Sequence, residues 1–225
     1  MYLIARCLLA SVVVLLFTSP MGAQKTVPLA PFSSVELQDG VHAVLRHGPS
    51  QRVTLVKGSL DYTSIKVADG GRLLIDSCAM HCPRGYELEI EIVTPEVAGI
   101  SVNDGGTIQS VGSFPRQTEI QVAVNDGGTI DIRSMSVDTV TASVHSGGRI
   151  FTRPQNALSA KVADGGIITY WGDARVSKSI KGGGVVTKGT AAEASQPISD
   201  SGLPLLSVPP VPPVYSIQPI RSPER

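Results

Sequence analysis

Apolar and polar residues alternate along most of the chain between residues 32 and 190, and pairs of glycines interrupt the alternation. In the segments 101–103 and 107–109, on either side of one such pair, every second side chain is apolar. Alternation with a period of two, rich in β-branched residues, predicts strands that bury one face. Because Asp-Gly and Gly-Gly steps permit sharp corners, each glycine pair is predicted to join two short strands.

One seven-residue phrase recurs at these corners. Its copies are VADGGRL at 67–73, VNDGGTI at 102–108 and at 124–130, VHSGGRI at 144–150 and VADGGII at 162–168. A degenerate copy, IKGGGVV, follows at 180–186, and a single-glycine version, LQDGVHA, occurs at 37–43. From residue 102 onwards the copies begin 22, 20, 18 and 18 residues apart. Such intervals favour the coils of a β-solenoid over successive hairpins, whose turns recur about every 8 to 12 residues.

Stacked coils would place equivalent side chains in files about 4.8 Å apart. Two interior files are predicted on this basis. The valines that open the phrases form the first, and the isoleucines that close them form the second. The members are Val102, Val124, Val144 and Val162 in the first file, and Ile108, Ile130, Ile150 and Ile168 in the second.

The N-terminal copy and the glycine-rich corners together resemble the auto-transporter adhesin head GIN domain family. The family's phrase V-x-L-x-D-G-V-x-x-x-L is present as VELQDGVHAVL at 35–45, and the resemblance extends over about residues 32–187. The chain departs from the family's usual Gly-Ser-Gly corner by having Asp-Gly-Gly. The resemblance implies an exported bacterial protein with a right-handed parallel β-helix-like fold, and it supplies no catalytic residues to carry over.

The first full interval, from Val67 to Val102, is longer than the others, at 35 residues. It contains the segment YELEIEIV at 86–93, in which apolar residues alternate with glutamates. This segment is predicted to be an antiparallel excursion with its acidic face in water. Together with residues 32–57 it is expected to form a sheet or hairpin that caps the first coil. The fold class predicted for the chain is therefore all-β, a solenoid with coils of about 18–22 residues and an N-terminal antiparallel cap.

Both ends of the chain differ from its middle. Residues 3–17 are apolar except for three positions, and small residues precede position 24, which predicts a signal peptide over 1–23. Eight prolines between 197 and 223 favour a disordered or polyproline-like tail over 191–225. The predicted order is signal peptide 1–23, linker 24–31, solenoid domain 32–190 and tail 191–225. We expect an exported protein, periplasmic, secreted or at the cell surface, with no transmembrane segment after signal cleavage.

The formal net charge is +0, from 19 basic and 19 acidic residues, and aromatic residues make up 4% of the chain. No basic cluster interleaved with aromatic residues occurs, so nucleic-acid binding is not expected. No cofactor motif occurs either. The partners that remain open are a glycan or an envelope protein, and the sequence does not fix the oligomeric state.

Aspartates recur at one position of the phrase. Stacking would bring them within about 5 Å of one another, where a divalent cation could offset their repulsion. Alternatively, aspartate simply suits the position before a glycine corner. The second interpretation is preferred, because Ser146 and Gly182 interrupt the file and no calcium-binding nonapeptide repeat is present. The weak candidate ligands are Asp69, Asp104, Asp126 and Asp164, with Asp39 in the single-glycine copy.

Two further groups of residues are candidates for specific roles. Cys78 and Cys82, with His81 between them, lack the fourth ligand that a zinc site needs, so a local disulfide is predicted in an exported protein. Tyr170 and Trp171 form the only adjacent aromatic pair in the sequence. They either stack on a sugar ring or close the end of an otherwise aliphatic core, and the second role is preferred.

Catalysis finds little support in the sequence. No G-x-S-x-G, H-E-x-x-H or P-loop motif occurs, and equivalent repeats would give the aspartates equivalent environments, whereas acid and base roles require different ones. The leading hypothesis is a non-enzymatic binding or adhesion-type module at the bacterial envelope. A polysaccharide-active lyase or hydrolase and a structural periplasmic partner of an envelope complex are the two alternatives.

Overall fold

The computed structural model describes residues 25–78 and 81–191, and these residues form an all-β structure. Within the described ranges the strands are β1 Lys25–Val27, β2 Ser34–Gln38, β3 His42–His47, β4 Arg52–Lys57, β5 Ser64–Ala68, β6 Arg72–Asp76, β7 Glu89–Thr94, β8 Gly99–Asn103, β9 Thr107–Val111, β10 Gln117–Asn125, β11 Thr129–Asp131, β12 Val137–His145, β13 Arg149–Thr152, β14 Pro154–Ala163, β15 Ile167–Tyr170, β16 Arg175–Ile180 and β17 Val185–Lys188.

The strands form two sheets, and the chain alternates between them. The nine-stranded sheet has the order β1-β4-β7-β3-β9-β11-β13-β15-β17, and the eight-stranded sheet has the order β16-β14-β12-β10-β8-β2-β6-β5. From β8 to β17 each phrase joins a strand of the eight-stranded sheet to one of the nine-stranded sheet, and neighbouring strands are parallel. Each repeat therefore contributes one parallel strand to each sheet.

The two predicted files of interior side chains are confirmed by the strand register. Val124 pairs with Val102 and Val144, and Val144 pairs with Val162. The four isoleucines pair in the same way in the other sheet. All eight side chains are at most 2% exposed, so the two files form the centre of the hydrophobic core. Burial of this apolar surface is the main force that holds successive repeats together.

The order of the strands in space differs from their order in the chain near the N-terminus. Strands β2 and β3 are not an outer cap: they lie between β6–β7 on one side and β8–β9 on the other, with parallel pairing on both. Strand β7 was predicted as part of an antiparallel excursion, but only its pairing with β4 is antiparallel. Antiparallel pairing is confined to β1, β4 and β5, which form the outermost strands at this end.

The phrase at 67–73 does not form a corner between the sheets. It joins β5 to β6 as an antiparallel hairpin in which Ala68 pairs with Arg72. Gly70 and Gly71 have φ of +79° and +71°, a conformation that glycine adopts without strain and that a tight reversal requires. The same Asp-Gly-Gly sequence thus forms both hairpin turns and corners between the two sheets.

Most of the predictions about the ends of the chain fall outside the described residues. The signal peptide 1–23 and residues 192–225 of the predicted tail lie outside the described residues. Within the predicted linker 24–31, residues 25–27 form β1, because they pair with the free edge of β4. In the described ranges, no helix has the length and apolarity that crossing a membrane requires.

Candidate functional site

The residues of each repeated corner have different structural roles. Asp104, Asp126 and Asp164 have φ between 54° and 58°, and Ser146 adopts the same left-handed conformation at 56°. The glycine that follows each of them also has a positive φ, and a Cβ there would meet little or nothing. Aspartate and serine tolerate this conformation partly because their short polar side chains bond locally to the backbone.

In the last two corners, at 162–168 and 180–186, the second glycine is required for a different reason. A Cβ at Gly166 would lie 2.8 Å from the Cβ of Val144 in the preceding repeat, and a Cβ at Gly184 would lie 2.8 Å from that of Val162. Neither glycine has a positive φ. These glycines therefore make room for the valine file of the neighbouring repeat. The sequence explanation, which assigned both glycines to backbone conformation, missed this contact because it joins residues about 20 positions apart.

The aspartate file is only partly as predicted. Backbone hydrogen bonds join successive corners, from Asp104 N–H to Asn125 O and from Asp126 N–H to His145 O, at 3.2 and 3.1 Å. Gly40 N–H donates to Asp104 O at 3.1 Å, so Asp39 belongs to the same file. Asp69 does not, because its hairpin lies at the opposite end of β6 from the corners. The described residues contain no cluster of three or more His, Cys, Asp or Glu side chains that is arranged to hold a metal ion.

Asp39 has a second acidic neighbour that the phrase did not reveal. Strand β6 pairs with β2 so that Asp76 lies beside Gln38, at the end where Asp39 begins the corner. Although Asp39 is exposed, partial desolvation by its surroundings raises the pKa of its carboxyl group, and the nearby carboxylates of Asp76 and Asp104 raise it further. The ionised form of Asp39 is therefore disfavoured in the folded protein.

Asp39→Asn is expected to raise the melting temperature slightly at neutral pH. Because the folded-state pKa is raised, protonated Asp39 stabilises the fold at acid pH, and this stabilisation is lost as the pH rises through the folded pKa. Asparagine removes the repulsion and tolerates a φ of 55°. Thermal unfolding at pH 3 and pH 7 measures the effect, which should be larger at pH 7. Asp126→Asn, at φ 54°, controls for the backbone contribution, and equal gains in both variants would contradict the electrostatic explanation.

A ladder of amide and carboxylate groups lies next to the aspartates on the outer face of the eight-stranded sheet. Asn125 Nδ2 donates to Asn103 Oδ1 at 2.8 Å, and Asn103 Nδ2 donates to Glu36 Oε1 at 3.2 Å. Gln38 and Arg72 also bind Glu36, at 2.9 and 3.2 Å. The identical VNDGG segments at 102 and 124 were the sequence signal for this ladder, since stacked identical amides can bond to one another.

The aspartate file is interrupted by a serine–histidine pair. Ser146 Oγ lies 3.1 Å from His145 Nδ1, and His145 Nε2 lies 3.5 Å from Asp164 Oδ2. The side chains of His145 and Asp164 are 60% and 63% exposed. An activated nucleophile needs a base that is fixed in orientation, and side chains this exposed are surrounded by water. The contact is weak support for chemistry of any kind.

Trp171 is buried and Tyr170 is half-buried. Trp171 is 5% exposed, its ring stacks on Phe151 with 6.2 Å between ring centroids, and its Nε1–H donates to Thr190 O at 2.8 Å. The guanidinium of Arg133 lies 5.1 Å from the Trp171 ring. A buried ring that already stacks on another side chain has no free face for a sugar, so this geometry favours the role of closing the core.

Cys78 and Cys82 are joined by a disulfide that closes a short loop after β6. The backbone N–H of Cys78 also donates to Asp76 Oδ1 at 2.9 Å. The bridge begins two residues after Asp76 and fixes the chain where it leaves the eight-stranded sheet.

Reduction of this disulfide is expected to lower the free energy of unfolding by about 2 kcal/mol, the loop-closure value for a loop of this length. Peptide mapping of the denatured, unreduced protein should find neither cysteine labelled by a thiol reagent. The Cys78→Ser/Cys82→Ser variant is the matched control, and it should be as stable as the reduced protein. Labelling of both cysteines without prior reduction would exclude the bridge.

Charge is unevenly distributed along the stack although the whole chain is neutral. Residues 25–138 contain 9 basic and 14 acidic residues, whereas residues 139–191 contain 7 basic and 2 acidic residues. The last repeats are therefore a positive end of the stack. An open cavity of about 290 Å³ lies near the other end, between residues 27–32 and 51–53, and its walls are of mixed polarity.

Comparison with known proteins supports the resemblance seen in the sequence. Residues 115–174, which span β10 to β15, match the sequence model of a family described as "Putative auto-transporter adhesin, head GIN domain". No curated protein matches the chain.

Several solved structures are similar to this chain. A putative adhesin from Bacteroides fragilis has 16% identity and a TM-score of 0.43, with 74% of this chain and 95% of that one covered. A putative adhesin from Parabacteroides merdae has 13% identity and a TM-score of 0.35, with 75% and 96% covered. A putative cell adhesion protein from Clostridium sporogenes has 9% identity and a TM-score of 0.33, with 74% and 99% covered. The match to the family model confirms the resemblance: over residues 115–174 the chain is similar in sequence to the auto-transporter adhesin head GIN domain family.

Proposed function

We propose that this protein is a non-enzymatic, exported binding or adhesion-type module at the bacterial envelope. In this proposal residues 32–190 are a right-handed parallel β-solenoid with coils of about 18–22 residues. The in-register parallel pairing from β8 to β17 supports it. Export through a signal peptide at 1–23, and a periplasmic or cell-surface location, are parts of the same proposal, and the adhesin-like family favours an exported or surface protein.

The observation that carries the proposal is the outer face of the eight-stranded sheet. The register places Ser101, Ala123, Ser143 and Lys161 in one outward row across four strands. Three of these four side chains are short, and short side chains on paired strands present a flat surface that loses little conformational entropy when a ligand binds. Such a surface suits a glycan or an envelope protein.

The same regularity argues against the enzymatic alternative. Asp104 and Asp126 occupy equivalent corners with nearly identical backbone conformations, at φ 58° and 54°. Acid and base roles need carboxyl groups in different environments. If the protein were nevertheless a polysaccharide lyase or hydrolase, replacing both aspartates would abolish turnover.

Crosslinking in intact cells followed by affinity purification tests the proposal. A binding module is expected to retain an envelope protein or glycan reproducibly, and it should release no product from a panel of acidic polysaccharides. The Asp104→Asn/Asp126→Asn variant should retain the same partner. Turnover that disappears in this variant would replace the binding function with the enzymatic one, and absence of any retained partner would contradict adhesion.

A further inference from the structure

The eight-stranded sheet ends in an open strand at its basic end. β16 pairs with β14 on one side and is the last strand of the sheet among the described residues. Five of its six side chains are exposed, and Ile180 is 42% exposed. An open strand edge is a template for pairing with another extended chain.

The free hydrogen-bonding groups of this edge can be assigned to particular residues. Lys181 N–H donates to Val162 O at 2.8 Å, and Lys181 O accepts from Asp164 N–H at 3.2 Å, so both backbone groups of Lys181 face β14. Because backbone groups alternate in direction along a strand, those of Val176, Lys178 and Ile180 face the open side. The edge therefore offers three N–H donors and three carbonyl acceptors at strand spacing.

The side chains of the same three residues continue the interior rows of the stack. Val176 pairs with Leu158, Lys178 with Ala160 and Ile180 with Val162. Lys178 is thus a charged residue in a row that elsewhere is buried and apolar. A further apolar repeat added at this edge would bury the ammonium group without a partner, which is strongly unfavourable. A strand with an acidic residue opposite Lys178 would not have this cost.

The positive charges around the edge also favour an acidic partner. Arg175, Lys178 and Lys181 form no ion pair with any residue of the described ranges. Lys188 is already held by Asp173 at 2.7 Å. These three cations, two in β16 and one directly after it, create a local positive potential that attracts an acidic segment and repels a basic one.

We propose that the open edge of β16 binds an extended acidic peptide segment by strand addition. The segment has the pattern apolar–x–acidic–x–apolar, with its apolar residues against Val176 and Ile180 and its acidic residue against Lys178. This proposal rests on the proposed binding function and names a class of partner for it. Alternating backbone donors and acceptors fit a peptide strand better than a polysaccharide.

A second copy of this chain fits the edge poorly. Pairing of β16 with β16 of another copy, parallel in register or antiparallel about Lys178, would bring Arg175, Lys178 and Lys181 against the same three cations, and like charges on adjacent strands are destabilising. The outer strand at the other end of this sheet, β5, carries Lys66 and offers no better match.

The test uses the full chain and the synthetic peptide Thr-Val-Thr-Glu-Thr-Ile-Thr, followed by NMR and calorimetry. Binding should shift the amide signals of Val176, Lys178 and Ile180 first and should weaken with salt. Lys178→Glu should weaken binding at least about tenfold, which corresponds to about 1.4 kcal/mol. Lys66→Glu, which makes the same charge change on β5, is the matched control and should bind as the wild type does.

Exchanging the charges of the peptide and of residue 178 is the decisive test of the proposal. The peptide with lysine in place of glutamate should bind Lys178→Glu better than it binds the wild-type protein. No binding of the glutamate peptide at millimolar concentration, amide shifts centred on another strand, or failure of the exchange would each overturn the proposal and leave the lysines as protection against edge pairing.

The same variants separate this proposal from the proposed function. If wild type and Lys178→Glu retain the same envelope partner after crosslinking, the module binds through another surface and the edge proposal is wrong for that partner. If neither retains a partner while the peptide binds as expected, the edge is a peptide site and the adhesion function is wrong.

Discussion

Gly166→Ala should destabilise the protein by about 3 kcal/mol, the upper part of the range for overpacking in a well-packed core. The added Cβ would lie 2.8 Å from the Cβ of Val144 and closer still to one of its methyl groups. Val144 is 2% exposed and is held between Val124 and Val162, so neither side can yield easily. Urea unfolding of the variant and the wild type measures the difference.

A double-mutant cycle with Val144→Ala assigns this loss to the contact between repeats. Val144→Ala alone creates a cavity, but in the Gly166→Ala background it also relieves the clash. The two changes together should therefore cost less than their sum, by at least about 1 kcal/mol. Gly165→Ala is the matched control, because its φ is +97° and a Cβ there meets nothing within 4 Å. Its cost should come from backbone strain, and Val144→Ala should not relieve it. Additive effects at Gly166 would contradict the contact.

The sequence was sufficient to predict the all-β class and the two interior files. Alternation fixes which face of each strand is buried, and a repeat of nearly constant length fixes which residues pair in the next repeat. The role of the second glycine was not predictable from the phrase alone. It depends on the distance to Val144 or Val162 in another repeat, which only the stacked structure defines.

The N-terminal part was predicted less well, for a different physical reason. Local patterns specify strands and turns, but they do not specify which strand lies beside which. Strand β2 pairs with β6 and with β8, strands that follow it by more than 30 residues, and nothing in their sequences encodes this order. The hairpin at 67–73 shows the same limit, because Asp-Gly-Gly supports either a hairpin or a corner.

The candidate residues also include some that lie where the sequence predicted and some that do not. Asp104, Asp126 and Asp164 occupy equivalent corners as predicted, whereas Asp69 lies elsewhere and Asp76 takes its place beside Asp39. The buried pair of Asp131 and Arg133 was missed entirely. The Arg133 guanidinium lies 5.7 Å from the Phe151 ring centroid and 5.1 Å from that of Trp171, and both rings belong to later repeats.

Asp131→Ala is expected to destabilise the protein by about 3 kcal/mol, because it leaves a largely buried guanidinium group without its carboxylate. Asp131 Oδ1 accepts from the backbone N–H and the Nε–H of Arg133, both at 3.0 Å, and Oδ2 accepts from Nη2 at 2.9 Å. The two side chains are 7% and 12% exposed. Urea unfolding followed by the fluorescence of Trp171, the only tryptophan, measures the loss.

Two further variants identify which part of this interaction matters. Asp131→Asn keeps an acceptor for the backbone N–H but removes the charge, so its cost should be intermediate. Asp131→Ala/Arg133→Leu removes both charges and keeps apolar contact with Phe151 and Trp171, so it should be more stable than Asp131→Ala alone. If the double variant were the less stable of the two, the packing of the Arg133 side chain under Trp171, and not its charge, would be the main contribution of this pair to the stability of the last repeats.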